Sequence, residues 1–258
     1  MYKFIYDLEE LKKFYDIILP PLNDNEVYFI SLSARKKYLP SDMKNLLDGS
    51  SEMFERRLID EKDWNMFLRT IKRYECNDGA YTNKEGIEYP NDAMIVYMNF
   101  NPCNIIKAYE EFIMKSTQNM MNLALGKGSD PKYFKRINHA LMTAMHHSRG
   151  TKHYVDIDID YKPGMKITSK GKLVLEQILS VLKQNNVKFF VIDTHGGYHV
   201  LMFTETIRFN YANEMKNILL DNSDILDDIM PNGQGMIPLP GCSQADYVVS
   251  CKYNLSNF

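Results

Sequence analysis

Tyr154-Val155-Asp156-Ile157-Asp158-Ile159-Asp160 alternates apolar or aromatic with acidic side chains along its length. Successive side chains of a β-strand point to opposite faces. Read as a strand, the stretch puts Val155, Ile157 and Ile159 on one face and Asp156, Asp158 and Asp160 on the other. The apolar face can pack on helices. The acidic face cannot be buried unpaired, because repulsion and desolvation oppose it. Aspartate is depleted in strands, so three in alternation need either open solvent or a positive counterpart. Hard divalent ions such as Mg²⁺ or Mn²⁺ suit oxygen ligands, and one or two carboxylates suffice when substrate phosphates supply the rest. Two such ions about 3.5–4 Å apart can clamp the attacking and leaving oxygens of a phosphoryl transfer.

Downstream, the pattern predicts a helix over about Ser169–Gln184 and a strand over Lys188–Asp193. A Gly196-Gly197 turn and a strand over Tyr198–Phe203 follow. The two glycines permit positive φ and close approach of a ligand to the backbone. His199 opens the second strand, where an imidazole can reach a bound phosphate. In a strand–helix–strand unit the outer strands can lie side by side, so Asp156 and His199 can meet on one face. His195 and His199 would stand about 13 Å apart on one strand, so no shared metal is expected. A polar helix near Asn210–Leu220, an acidic stretch Asp221–Asp228 and a Gly/Pro-rich segment ending in Tyr247-Val248-Val249 complete this half.

Upstream, helical spacing runs from Asp7 to Leu19 and stops at Pro20-Pro21. Val27–Ser33 and Ala93–Tyr97 read as strands, and Arg35-Lys36-Lys37 follows the first of them. Trp64, Phe67, Leu68 and Ile71 form the buried stripe of a helix with Arg69, Lys72 and Arg73 facing out. A helix over about Asn104–Leu125 carries Ile105, Ile106, Tyr109, Phe112 and Ile113 on one face and breaks at Gly126–Ser129. The next starts at Asp130-Pro131 and stops near Gly150. The order strand–helix–strand–hairpin suggests an α+β sheet with helices on one side. The one plausible seam is the loop near residues 148–152.

The chain has 258 residues, 45% apolar and 25% charged, enough for one large domain or two small ones packed together. Its formal net charge of -2 means that any nucleic-acid footprint must be local. Cys76, Cys103, Cys242 and Cys251 form no CxxC or CxxH cluster, which argues against structural zinc and a disulfide framework and fits the cytoplasm. The charged N-terminus reads as no signal peptide, and no run of 18 apolar residues spans a membrane. The Lys/Asn/Tyr-rich composition suits a phage or mobile element.

These residues resemble the archaeo-eukaryotic primase superfamily, which includes primase-polymerases of phages and plasmids. Its first motif is an apolar run followed by Asp-x-Asp/Glu, here Tyr154-Val155-Asp156-Ile157-Asp158. Its second is Ser-x-His opening a strand, here Gly197-Tyr198-His199. Its third is an apolar residue followed by an acid, a short way before an Arg-apolar-Pro-Gly-Ser-like segment. Here Ile225-Leu226-Asp227-Asp228 precedes Met236-Ile237-Pro238-Leu239-Pro240-Gly241-Cys242-Ser243. The resemblance covers about residues 152–252. Gly197 stands in place of the usual Ser, and Pro238 stands where an Arg is common.

The resemblance implies an α+β fold. An RRM-like mixed or antiparallel sheet module over residues 151–258 would carry helices on one side and pack on a helical or α/β N-terminal module over residues 1–150. It implies a template-dependent nucleotidyltransferase, a DNA primase or primase-polymerase, that joins a 3′-hydroxyl to the α-phosphate of an incoming nucleotide. Asp156 and Asp158 would bind two Mg²⁺ or Mn²⁺ ions and Asp228 would complete the acidic trio. Asp227 and Asp246 compete for that third place, and Asp158 with Asp160 is an alternative pair. His199 would contact the triphosphate. Ser243, Arg149, Lys152, Lys252 and the Arg35-Lys36-Lys37 cluster are candidates for further nucleotide or template contacts. The implied partners are nucleoside triphosphates, a single-stranded DNA template and a separate replicative helicase. Two other readings use the same residues: a metal-dependent nuclease or phosphodiesterase, and a catalytically silent replication-initiation module that binds nucleic acid.

Overall fold

The computed structural model describes residues 1–47, 49–83, 85–128, 132–232 and 235–252. Over these residues the fold is α+β, with two larger antiparallel sheets and seven α-helices.

The first sheet is built around β1 (Glu26–Arg35), which lies between β2 (Ser51–Ile59) and β3 (Met94–Asn99). The short β4 (Cys103–Asn104) pairs with the start of β1. Tyr28, Ile30, Leu32 and Ala34 on one face of β1 join a core with Leu11 of α1 (Leu8–Lys13), Phe14 of the π-helical turn after it, and Phe67 and Ile71 of α2 (Trp64–Lys72). Asp7 and Asp63 cap α1 and α2, each accepting a backbone N–H three residues on. On the other face, Val27 and Phe29 pack with Ala108 of α3 (Ile105–Ala124), and with Met145, which follows the four-residue α4 (Lys132–Lys135) in α5 (Ile137–His147).

The second sheet contains β5 (Tyr154–Tyr161), β6 (Phe189–Asp193), β7 (Gly197–Phe203) and β8 (Leu226–Asn232), with α6 (Ser169–Gln184) after β5 and α7 (Tyr211–Asp221) after β7. Its spatial order is β12-β6-β7-β5-β8, with β12 spanning Ser250–Lys252. Val155, Ile157 and Ile159 of β5 pack against Val174 and Ile178 of α6 and Met215 and Ile218 of α7. On the opposite face Tyr154, Phe190, Ile192, Leu201 and Cys251 belong to the same apolar cluster as the first sheet.

After β8 the chain returns to that sheet. β9 (Met236–Pro238) pairs with β3, and Ile237 and Leu239 are buried in its core. Gly241, at φ +81°, turns against α1 so closely that a Cβ would sit 2.3 Å from the Asp7 carbonyl oxygen. A small hairpin of β10 (Ser243–Gln244) and β11 (Tyr247–Val248) leads into β12.

Several expectations change. β2 was not foreseen, because its sequence, Ser-Glu-Met-Phe-Glu-Arg-Arg-Leu-Ile, lacks clean alternation; it is an edge strand, where charges are tolerated. β6 does not lie beside β5, since β7 inserts between them. The expected start of a helix at Asp130-Pro131 lies outside the described residues, and the segment beyond it is divided at Arg136. The apolar face expected for α3 is largely exposed at Ile106, Tyr109 and Ile113, and Ala108 is its buried residue. Among the described residues no helix is long and apolar enough to cross a membrane.

Candidate functional site

β5 is anchored at its start by polar side chains of the first sheet's loops. The Asn101 carboxamide accepts from the His153 and Tyr154 amides at 2.8 and 2.9 Å and donates to the Tyr154 carbonyl at 2.8 Å. The Tyr154 hydroxyl donates to the Ile18 carbonyl at 2.7 Å. Glu26, 3% exposed, accepts from the amides of Asn23 and Thr151 and so ties the 148–152 loop to β1. Satisfied buried hydrogen bonds of this kind hold backbone direction closely, and they set the register from which the three aspartates emerge.

Asp158 lies directly opposite His199 on β7, and Asp156 opposite Leu201. Side chains directly opposite in an antiparallel pair share a face. His199 Nδ1 is 2.8 Å from Asp156 Oδ2 and 3.5 Å from Asp158 Oδ1, so both carboxylates converge on one imidazole nitrogen. Asp156 is 1% exposed, and its Oδ1 is buried with no hydrogen-bond partner. Burial pushes the His199 pKa down, but Asp156, Asp158 and Asp160 together outweigh it and raise it to about 9. Burial, reinforced by Asp156 and Asp160 and opposed by His199 and Lys37, raises Asp158 to about 6. Burial raises the Asp156 carboxyl as well, opposed by His199; the 2.8 Å contact at Nδ1 and the second carboxylate at 3.5 Å favour the imidazolium as the protonated partner at neutral pH.

The facing wall comes from the first sheet. Arg35, at the end of β1, reaches over the ring of Tyr97 on β3 with 5.9 Å between guanidinium carbon and ring centre. Burial raises Tyr97 to about 12, with Arg35 lowering it and Asp158 and Asp160 adding to the rise, which places the phenol within their electrostatic reach. Arg35 Nε and the Tyr38 hydroxyl are buried and unpaired. Lys37, Tyr38, Asp160, His195, Gly196 and Asp227 line a cavity of about 520 Å³, a size that suits a nucleotide-scale ligand. The turn between β6 and β7 is fixed there: the His195 amide donates to Gln244 at 2.8 Å, and the His195 ring meets Tyr38 edge-on.

Gly197 has a steric cause. It lies opposite Asp160, and a Cβ there would stand 1.8 Å from the Ile159 carbonyl oxygen. No serine fits this backbone. Pro238 lies opposite Tyr97 and thus on its face, while the cations on that wall are Arg35 and Lys37.

The remaining candidates are distributed as follows. Asp228 is directly opposite Asp160 on β8, on the same face as the other acids. Asp227, one residue earlier and exposed, lines the cavity. The Asp246 side chain is 86% exposed and lies 3.4 Å from His195. Ser243 is buried against Phe4, its Oγ bonded to no group, the β5 carboxylates included. Lys252 does not join the aspartates: it pairs with Asp193 at 3.1 Å and lies over Tyr198, and its strand partner Val191 belongs to the helix-side core. Lys152 lines a different cavity, with Asp16 and Glu205, at the opposite end of β5 from Asp160. Arg149 is exposed in the loop before β5, and its carbonyl accepts from Lys107. Tyr38 and Tyr97 were not singled out in the sequence, although Tyr38 directly follows the basic cluster.

Among the described residues no group of three or more His, Cys, Asp or Glu side chains is arranged to hold a metal ion. The donor chemistry nonetheless fits a hard cation. Asp156 presents an orphaned buried oxygen, Asp158 stands beside it, and Mg²⁺ commonly takes only one or two carboxylates and completes its shell with water and phosphate. Compared with protein-family models, curated proteins and solved structures, the chain matches none.

Proposed function

We propose that this chain is a template-dependent nucleotidyltransferase of the DNA primase or primase-polymerase kind. The convergence of Asp156 and Asp158 on His199 Nδ1, on the sheet face that packs toward the first sheet and across from Arg35, Lys37 and Tyr38, carries the reading. The strand–helix–strand–strand–helix–strand order and the β8-β5-β7-β6 arrangement support an RRM-like module over residues 151–258. Residues 1–150 then form the companion module that supplies the basic wall.

In this reading Asp156 and Asp158 hold the divalent ions, with Asp228 or its neighbour Asp227 as third acid. Bound Mg²⁺ or Mn²⁺ supplies charge neutralisation at the triphosphate and lowers the pKa of the attacking 3′-hydroxyl. His199 is oriented through Nδ1 by Asp156, which leaves Nε2–H to donate to a phosphate oxygen. Arg35 and Lys37 add positive potential on the opposite wall, where Pro238 provides none. The protein's contribution is mostly positioning.

Labelled nucleotides, Mn²⁺ and a primed single-stranded template test the proposal. The expected result is template-dependent extension that Asp156→Ala and Asp158→Ala each reduce by at least about a hundredfold while far-UV and near-UV circular dichroism stay unchanged. Unchanged incorporation by both variants rules the mechanism out. Shortening of the template, lost in the same variants, would instead establish a metal-dependent nuclease.

A further inference from the structure

A second anion-binding feature lies away from the aspartates. Arg56 and Arg57 of β2, Arg69 and Arg73 of α2 or its C-terminus, and Met66 and Met142 line one groove of about 510 Å³. Four arginines lining one groove are unexpected in a chain of net charge -2, even though Arg56 turns toward α5, where its guanidinium donates to the His139 carbonyl at 3.4 Å and the Thr143 hydroxyl at 3.2 Å. Among the described residues, the one ion pair that any of the four makes is Arg57 with Glu55 at 3.1 Å, between side chains 46% and 38% exposed. Such an exposed pair neutralises little. Arg69 and Arg73 near the end of α2 complement the helix dipole, but that does not account for Arg56 and Arg57 arriving from a different element.

The groove follows the edge strand of the first sheet. Arg56 lies opposite Ser31 of β1, four residues from Arg35, so the two arginines are separated by about 13 Å along the sheet. At the near end, Arg35, Lys36, Lys37 and Lys44 line a further pocket of about 300 Å³. Cations thus flank both ends of β2, from the rim of the aspartate cleft to the four-arginine groove. Guanidinium forks match phosphate oxygens in bidentate geometry.

We infer that the groove between β2, α2 and α5 holds the phosphate backbone of a single-stranded nucleic acid. The identity of the strand as template rests on the nucleotidyltransferase reading; the phosphate chemistry rests on the arginines alone. Phosphate contacts position a strand without reading its sequence, and each adds to the salt dependence of binding.

The test uses the full chain and a fluorescein-labelled oligodeoxythymidylate, followed by anisotropy across a salt series. Arg69→Gln/Arg73→Gln is expected to weaken binding about tenfold at low salt and to flatten the log–log salt slope by about 1.4. Arg69→Lys/Arg73→Lys retains most of the slope, which a merely structural role would not explain. Binding without synthesis by the wild type defeats the enzymatic reading and leaves this inference standing. No binding by the wild type, an unaltered affinity in the Gln variant, or displacement of the strand by polyglutamate as readily as by unlabelled DNA overturns it.

Discussion

His199 and Gly197 show how two positions of one strand serve the site for different physical reasons. His199 is protonated because acids surround it, and its folded pKa of about 9 lies above the ordinary 6.5. A raised pKa means that the folded state binds the proton more tightly. This contribution to stability is complete below about pH 6.5 and is lost as pH rises through about 9. Urea unfolding at pH 6.5 and 9.5 should therefore show a loss, on the order of 3 kcal/mol, that His199→Gln largely removes; an identical pH profile in the variant contradicts the imidazolium assignment. Gly197 acts through space rather than charge. Gly197→Ser must displace the Ile159 carbonyl, 1.8 Å from the new Cβ. We expect a destabilisation of about 3 kcal/mol, read as a lower urea midpoint, and no gain in nucleotide affinity. A stable, tighter-binding serine variant would show that the backbone opens here.

At the scale of elements, β5 was legible because its alternation has a single physical reading. Val155, Ile157 and Ile159 do pack on helices, and Asp156, Asp158 and Asp160 do share the other face. The helix between β5 and β6 and the hairpin after it were equally visible, from helical apolar spacing and from the paired glycines. Strand order was not. Nothing local in Phe189–Asp193 or Gly197–Phe203 says which of them lies beside β5, because neighbour choice depends on connection handedness and on what each face must bury. β2 was missed since an edge strand can be polar on both faces. The surroundings of Lys252 and Ser243 are not legible for a related reason: they are set by how residues 236–252 return first to β3 and then to β6. The β5–β8 pair carries its own prediction. Asp160 and Asp228 lie directly opposite, and like charges so placed destabilise a sheet by about 0.5 kcal/mol unless a cation bridges them. Asp228→Asn should raise the melting temperature without divalent ions, and should lose part of the Mn²⁺-dependent rise that the wild type shows. A full Mn²⁺ response in the variant would remove Asp228 from the ligand set.

Across the whole molecule, the two sheets share one apolar cluster, and the cleft at its margin sets acids of the second sheet against cations and phenols of the first. The aspartates come from the second sheet, whereas Arg35 and Lys37 come from the end of β1 and the turn after it. This explains why net charge was uninformative: opposite charges gathered locally cancel in the total. It also explains why the cationic wall was only partly readable, since Arg35 and Tyr97 meet through the pairing of β1 and β3 rather than through sequence proximity. The measurement that bears most directly on this arrangement is a crystal soaked with Mn²⁺ and a nucleoside triphosphate, with the manganese located by anomalous scattering. Manganese is expected between Asp156 and Asp158, with the triphosphate reaching His199 and Arg35. Manganese bound elsewhere, or a triphosphate seated away from His199 with Asp156 still paired as before, would contradict it.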